Sequence, residues 1–231
     1  GLPPIEKFRN DYPTLKHQDH EVERLSVKEI LLKYVLTNKY VWVLSFAYFF
    51  IYIIRTAIND WTTLFLVEVK GYTLIAAGAA VFWFEIGGFL GSLVAGWSSD
   101  TLFKGKRGPV NTLFTLFVLV ALFLMWKNTE VNFFLDSAII FAIGFFIFGP
   151  QMLIGMAAAE LSDKNAAGTA TGFAGWFAYL GAAVAGGPLG AITKEWGWEG
   201  FFIALCASAV ISLFFLAPLW SVKVNPRYAN G

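Results

Sequence analysis

From Tyr40 to Trp220 the chain is a succession of apolar stretches, each close to the roughly 20 residues that a helix needs to cross the hydrocarbon core of a bilayer. Six can be distinguished, at about 40–66, 72–97, 109–126, 133–156, 168–193 and 200–220, with short connections between them. In lipid only helices and closed barrels satisfy every backbone polar group, and nothing in these stretches alternates with the two-residue period of a barrel strand. The sequence therefore predicts an all-α membrane protein with six transmembrane helices. Composition agrees, because only 14% of the side chains are charged and 57% are hydrophobic, whereas charged residues make up about a quarter of a soluble domain. A net charge of +1 is too small a basic field for a nucleic-acid binder.

The flanks differ from this core. Residues 1–39 hold 13 of the 33 charged residues, together with His17, His20, Pro3, Pro4 and Pro13, and read as a solvated loop. Its last part begins with a capping-box pattern, Ser26-Val27-Lys28-Glu29, and carries Val27, Ile30, Leu31, Tyr34 and Val35 at helical spacing. A short helix lying in the membrane interface is expected there, with Lys28 and Lys33 off the apolar stripe. Residues 221–231 form a second polar tail. With both tails on one side, that side holds 13 basic residues and the other only Lys70, Lys127 and Lys194. The bias of basic residues toward cytoplasmic segments then makes both ends cytoplasmic. The chain starts at Gly1, has no secretory signal at its head, and reads as part of something longer.

The six stretches are not alike. Glycines are dense in the second (Gly78, Gly87, Gly88, Gly91, Gly96), present in the fourth (Gly144, Gly149, Gly155) and densest in the fifth, from Gly168 to Gly190. The third and sixth have almost none and suit helices surrounded mostly by lipid, whereas small residues permit close helix packing. The pattern repeats every three helices. Many secondary transporters show such a three-plus-three repeat, and half of a larger bundle with peripheral helices imitates it.

Ionisable residues inside spans are costly and point to function. Arg55 stands about midway in the first span, on a polar stripe of Ser45, Tyr48, Tyr52, Arg55 and Asn59 at three- and four-residue steps. A guanidinium bordered by tyrosines at that depth suits an oxyanion such as phosphate, which it can grip with two parallel hydrogen bonds. The competing reading is a charge-balancing arginine paired with Glu85 or Asp60. Glu85 lies at similar depth on the next antiparallel helix, while Asp60 is about 140° round from Arg55 and needs another partner. The two carboxylates are either a switch that changes partners or simple counter-charges. Between the second and third spans, Gly96, Asp100, Gly105, Lys106 and Arg107 form a Gly-x-x-x-Asp, Gly-basic-Arg pattern. Gly149-Pro150 and Pro188 are candidate hinges, because proline removes a helical donor, and Gln151 stands where a freed polar group could meet substrate or water. His17 and His20 lack a metal-ligand arrangement, and Cys206 on an apolar helix is read as inert. No nucleophile–base pair, phosphate-binding glycine loop or cofactor motif is present, so neither an enzyme nor a cofactor is expected.

The loop pattern from Gly96 to Arg107 resembles the cytoplasmic gating loop of the major facilitator superfamily. The runs Tyr52-Ile-Ile-Arg55-Thr-Ala-Ile-Asn59-Asp60-Trp61, Phe148-Gly-Pro-Gln-Met-Leu-Ile-Gly155 with Ala159-Glu160-Leu161, and Ala166-Ala-Gly-Thr-Ala-Thr-Gly172-Phe resemble the organophosphate:phosphate antiporters of that superfamily. The opening Gly1-Leu-Pro-Pro-Ile-Glu looks like the start of their central loop. The bacterial hexose-phosphate transporters are the most similar branch, with glycerol-3-phosphate transporters next. The resemblance implies that this chain is the C-terminal six-helix half of a twelve-helix carrier in the bacterial inner membrane, closed only by a missing N-terminal half. It implies exchange of a phosphate ester for inorganic phosphate, with Arg55 as one of two arginines on the phosphate. Asp60 and Glu85 would exchange salt bridges with a lysine of the other half. A non-transporting hexose-phosphate sensor of the same fold is the alternative, and a ligand-free structural subunit fits the Arg55 stripe poorly.

Overall fold

The computed structural model describes residues 26–222. His17, His20, the prolines of the first loop and the tail from residue 223 lie outside the described residues. Among the described residues the chain is helical throughout, without strands. A short helix, α1 (Val27–Ile30), continues as a π turn over Leu31–Val35. Its start is the expected capping box: Ser26 N–H donates to Glu29 Oε2 at 2.7 Å and Glu29 N–H to Ser26 Oγ at 3.3 Å. Those bonds hold the Glu29 carboxyl below its ordinary pKa.

Four long helices follow: α2 (Lys39–Glu68), α3 (Leu74–Thr101), α4 (Arg107–Lys127) and α5 (Phe133–Glu160). Each covers a predicted apolar stretch, α3 starting two residues later than expected, and extends past its end into polar residues, so Gly96 and Asp100 are helical and only Leu102–Lys106 links α3 to α4. Asn38, Thr73 and Asn132 cap α2, α3 and α5 through their side-chain oxygens. Gly71, with φ 68°, ends the first connection and lets Tyr72 N–H reach the Leu66 carbonyl at 3.1 Å.

The last element, α6, runs from Ala167 to Leu216. A straight helix of 50 residues would be about 75 Å long, far more than a bilayer of about 30 Å holds. Gly197 breaks it with φ 66° and ψ −169°. Side-chain contacts show the reversal. Trp42 meets Phe173 and Trp61 meets Ala185, so the arm 167–196 runs with α2. Phe65 meets Phe202 and Phe46 meets Phe215, so the arm 198–216 runs against it.

Glycines set the pairing. A Cβ on Gly87 or Gly91 would overlap the carbonyls of Phe141 or Phe145, and one on Gly144 the carbonyl of Phe84, so α3 and α5 meet backbone to backbone. Gly181 does the same for α6 against Phe49 of α2. The consecutive helices α2 and α3 are therefore not the principal neighbours. The α4 span is 56% buried within the chain and the glycine-rich α3 span 33%. Glycine brings one face of α3 against α5 and leaves Trp83, Phe89, Leu93 and Trp97 on the open face.

At the end where α2 meets α3, a buried ion pair joins two connections. Lys70 Nζ lies 3.4 Å from Asp136 Oδ1, with side chains 2% and 5% exposed. The ammonium also donates to the carbonyls of Asn128 and Glu130. Asp136 accepts from Tyr72 Oη at 2.6 Å and Asn128 Nδ2 at 2.8 Å. Burial and this bond to a carboxylate raise the Tyr72 pKa.

Two stability predictions follow for the full-length protein in detergent. Gly91→Leu forces α3 off α5 and costs about 1–3 kcal/mol by overpacking, read as a lower Tm than for Gly186→Leu, where nothing lies within 4 Å. Asp136→Leu strands the Lys70 ammonium and costs about 3–5 kcal/mol, most of it recovered in Lys70→Met/Asp136→Leu. Equal losses in the single and double variants would contradict the pairing.

Candidate functional site

Arg55 lies in the interior of α2, and the predicted polar stripe around it divides into groups with different tasks. Ser45 is fully buried and donates to its own helix, at the Val41 carbonyl. Tyr48 is 9% exposed and sends its hydroxyl across to the Gln151 carbonyl of α5 at 2.7 Å. Its ring meets Tyr52 edge-on at 4.9 Å, and Tyr52 in turn lies 6.0 Å from Tyr179 on the first arm of α6. Asn59 turns away, donating from Nδ2 to Asp60 Oδ1 at 2.8 Å.

The Arg55 guanidinium sits over the Phe148 ring, 5.5 Å from its centroid. Its Nε is buried without a hydrogen-bond partner. Gln151 Oε1, one turn beyond Phe148 on α5, is a buried acceptor without one. The structure thus gathers Arg55, Tyr48, Tyr52 and Gln151 on two facing helices, with an unused donor and an unused acceptor between them. Phe148 and Tyr179 join this group and were not among the predicted site residues. An aromatic beneath a cation is common enough in an apolar helix to give no signal by itself.

The pairing of Arg55 with Glu85 or Asp60 is not formed among the described residues. Glu85 and Asp60 are both exposed. The reason is the neighbour order: α2 packs chiefly on α6 and α3 on α5, so adjacency in sequence does not bring Glu85 to Arg55. Arg55 is only half-buried, but its Nε is shut off from water, and a buried donor of a cation calls for an anion or a strong acceptor. This one has a π face and an unused N–H, an arrangement that can receive an oxyanion through charge-assisted hydrogen bonds.

The predicted gating loop assembles at the other end of α3. Lys104 (φ 53°) and Gly105 (φ 78°) turn the chain, and Ser99 Oγ donates to the Lys106 carbonyl at 3.2 Å. Arg107 opens α4 and forks onto Glu160, with Nη2 to Oε1 at 2.8 Å and Nε to Oε2 at 3.1 Å. Its other nitrogen, Nη1, donates to Ser99 Oγ and Asp100 Oδ1. Asp100 and Glu160 thus bracket one guanidinium and tie the ends of α3, α4 and α5. Glu160 was legible only within the family-like run Ala159-Glu160-Leu161. The helix α5 continues through Pro150, with Gly149 packed on Phe114 and Ala95, whereas Pro188 is exposed beside Gly186 and Gly187.

Residues 7–186 match the Major Facilitator Superfamily. The chain is 54% identical to the probable hexose phosphate transport protein of Chlamydia trachomatis, over 96% of this chain and 51% of that protein. It is 48% identical to the membrane sensor protein UhpC of Escherichia coli K12, over 99% of this chain and 52% of that one. It is 41% identical to the glycerol-3-phosphate transporter of Bacillus subtilis 168, over 96% of this chain and 50% of that one. The chain spans about half the length of the curated relatives it matches. These are carriers and a sensor built on a carrier fold, not enzymes. With its apolar helices, glycine-packed bundle and Arg107 loop, the chain belongs to the major facilitator superfamily, in its organophosphate:phosphate antiporter family.

Proposed function

We propose that the chain is the C-terminal half of a secondary carrier that exchanges a sugar phosphate, hexose 6-phosphate above all, for inorganic phosphate by alternating access. The observation that carries this reading is the buried Arg55 Nε with no partner, set over Phe148 and flanked by Tyr48 and Tyr52. Its guanidinium receives the phosphate that both substrates share. Gln151 Oε1 is an acceptor without a donor; the dianionic phosphoryl group of a sugar phosphate has none to offer, whereas its sugar hydroxyls do, so Gln151 is assigned to the organic part. Asn59 orients Asp60 at the rim of this site.

The unit has six spans in a three-plus-three repeat, the arms of α6 counting as the fifth and sixth. The reversal at Gly197 supports the count, and the repeat is supported by the way α2 packs on the fifth span as α5 packs on α3. Both ends face the cytoplasm of a bacterial inner membrane, in accord with the basic residues. The missing half supplies a second phosphate-binding arginine and a lysine for Asp60 and Glu85, which stand exposed and free to change partners. The Asp100–Arg107–Glu160 cluster closes the cytoplasmic side in one state, and Gly149, Pro150 and Pro188 let helices bend between states.

Similarity to a membrane sensor favours a second reading, in which the protein binds hexose phosphate and signals without moving it. Uptake of glucose 6-phosphate by the full-length protein into phosphate-loaded liposomes separates the two. Exchange in the absence of any partner protein supports the carrier; binding without uptake supports the sensor. In the carrier, Arg55→Ala lowers exchange by about 100-fold and Arg55→Lys, which cannot fork, by about tenfold. Normal exchange in Arg55→Ala would remove this residue from the site. Gln151→Leu raises the KM for the sugar phosphate by about tenfold while phosphate–phosphate exchange is little changed. Equal loss of both exchanges would contradict the division of labour.

A further inference from the structure

Trp61 stands six residues after Arg55 on α2, and by sequence it reads as one of the tryptophans near the span ends. Its indole does something more specific. Nε1 donates to the Ala185 carbonyl of α6 at 2.9 Å, and the ring lies against Gly190, where a Cβ would come within 2.9 Å of Cη2. Ala185 is 1% exposed and precedes Pro188 by three residues. Pro188 has no N–H for the Val184 carbonyl, so this turn of α6 lacks one of its own bonds although its backbone stays helical. Gly186 and Gly187 complete that turn with nothing within 4 Å of either Cβ position, so no side chain of its own fixes it. Trp61 adds a bond from α2 at the next carbonyl, that of Ala185.

The same helix bonds a second proline-bearing helix. On the other side of Arg55, Tyr48 donates to the carbonyl of Gln151, the residue after Pro150. The Arg55 helix therefore grips both proline-bearing helices, one on each side of the guanidinium. The α6 grip matters for the site because Tyr179, which faces Tyr52 at 6.0 Å, lies on the same arm only six residues before Ala185.

We infer that Trp61 is a positioning residue: its indole N–H holds the proline-weakened turn of α6 in register with α2 and so fixes Tyr179 against Tyr52, one turn before Arg55 on α2. What the site binds rests on the functional reading above; the register does not. Trp61→Phe keeps a ring beneath Gly190 and removes only the donor. Pro188→Ala restores the helical bond to the Val184 carbonyl, stiffens the turn and so lessens the need for the Trp61 bond beside it. The two substitutions are therefore coupled, with the effect of Trp61→Phe largely lost in the Pro188→Ala background.

The test uses the full-length protein in liposomes, otherwise free of cysteine, with spin labels at Leu116→Cys on α4 and Trp176→Cys on α6. Trp61→Phe broadens the label distance distribution, and adding Pro188→Ala narrows it again. In transport, Trp61→Phe raises the KM for glucose 6-phosphate by about tenfold, the size of one unmade buried hydrogen bond, with the maximal rate largely retained. A distribution unchanged by Trp61→Phe, or one broadened equally with and without Pro188→Ala, overturns the positioning role. If the labels respond as expected but the unsubstituted protein moves no phosphate ester, the positioning role stands and the transport reading fails.

Discussion

Hydrocarbon cannot hydrogen-bond a peptide group, and the architecture of this protein follows from that. Helices satisfy nearly all of the backbone, and the places where they cannot are met by particular side chains. Asn38, Thr73 and Asn132 cap helix starts, and Lys70 gathers the carbonyls of a connection. Tyr48 and Trp61 add bonds from α2 to carbonyls of the two proline-bearing helices. Once the backbone is closed, lipid offers little drive for helices to associate, so close packing decides which neighbours form. The overlaps that a Cβ would create at Gly87, Gly91, Gly144 and Gly181 mark those contacts, α3 with α5 and α2 with α6.

The same constraint applied to charge singles out Arg55. Lys70 is buried and paired with Asp136, and Arg107 is largely buried and held by Asp100 and Glu160. Each pairing ties chain segments together at one end of the bundle. Arg55 lies between those ends with an aromatic ring beneath it and a buried N–H unused. The two paired cations serve structure in this chain; the third is what the fold leaves available for an anion. Two carboxylates that could have neutralised it are exposed: Glu85 stands on a helix that packs chiefly on α5, and Asp60 lies about 140° round α2 from Arg55.

Length and hydropathy made the helices legible, and their periodic polar residues made Arg55, Tyr48 and Tyr52 legible as one face. The capping box at Ser26 and Glu29 formed as its spacing demanded. What the sequence concealed was chiefly who packs against whom. Antiparallel adjacency suggested that Glu85 would meet Arg55, yet tertiary packing placed the two helices on different partners. Phe148 and Tyr179 escaped notice because one aromatic among many carries no signal until a cation or a second ring is seen beside it. Trp61 gave no signal for the related reason that position along a span does not reveal a bond to another helix.

The central claim is that a phosphate oxygen occupies the place left by the missing partner of Arg55. Solid-state NMR on the full-length protein in lipid, with arginine side chains labelled with nitrogen-15, measures dipolar coupling between guanidinium nitrogens and bound phosphate phosphorus directly. A coupling that is present with phosphate bound and is lost or reduced in Arg55→Lys is the predicted result. Bound phosphate whose coupling to arginine nitrogens is the same with and without Arg55 would contradict it.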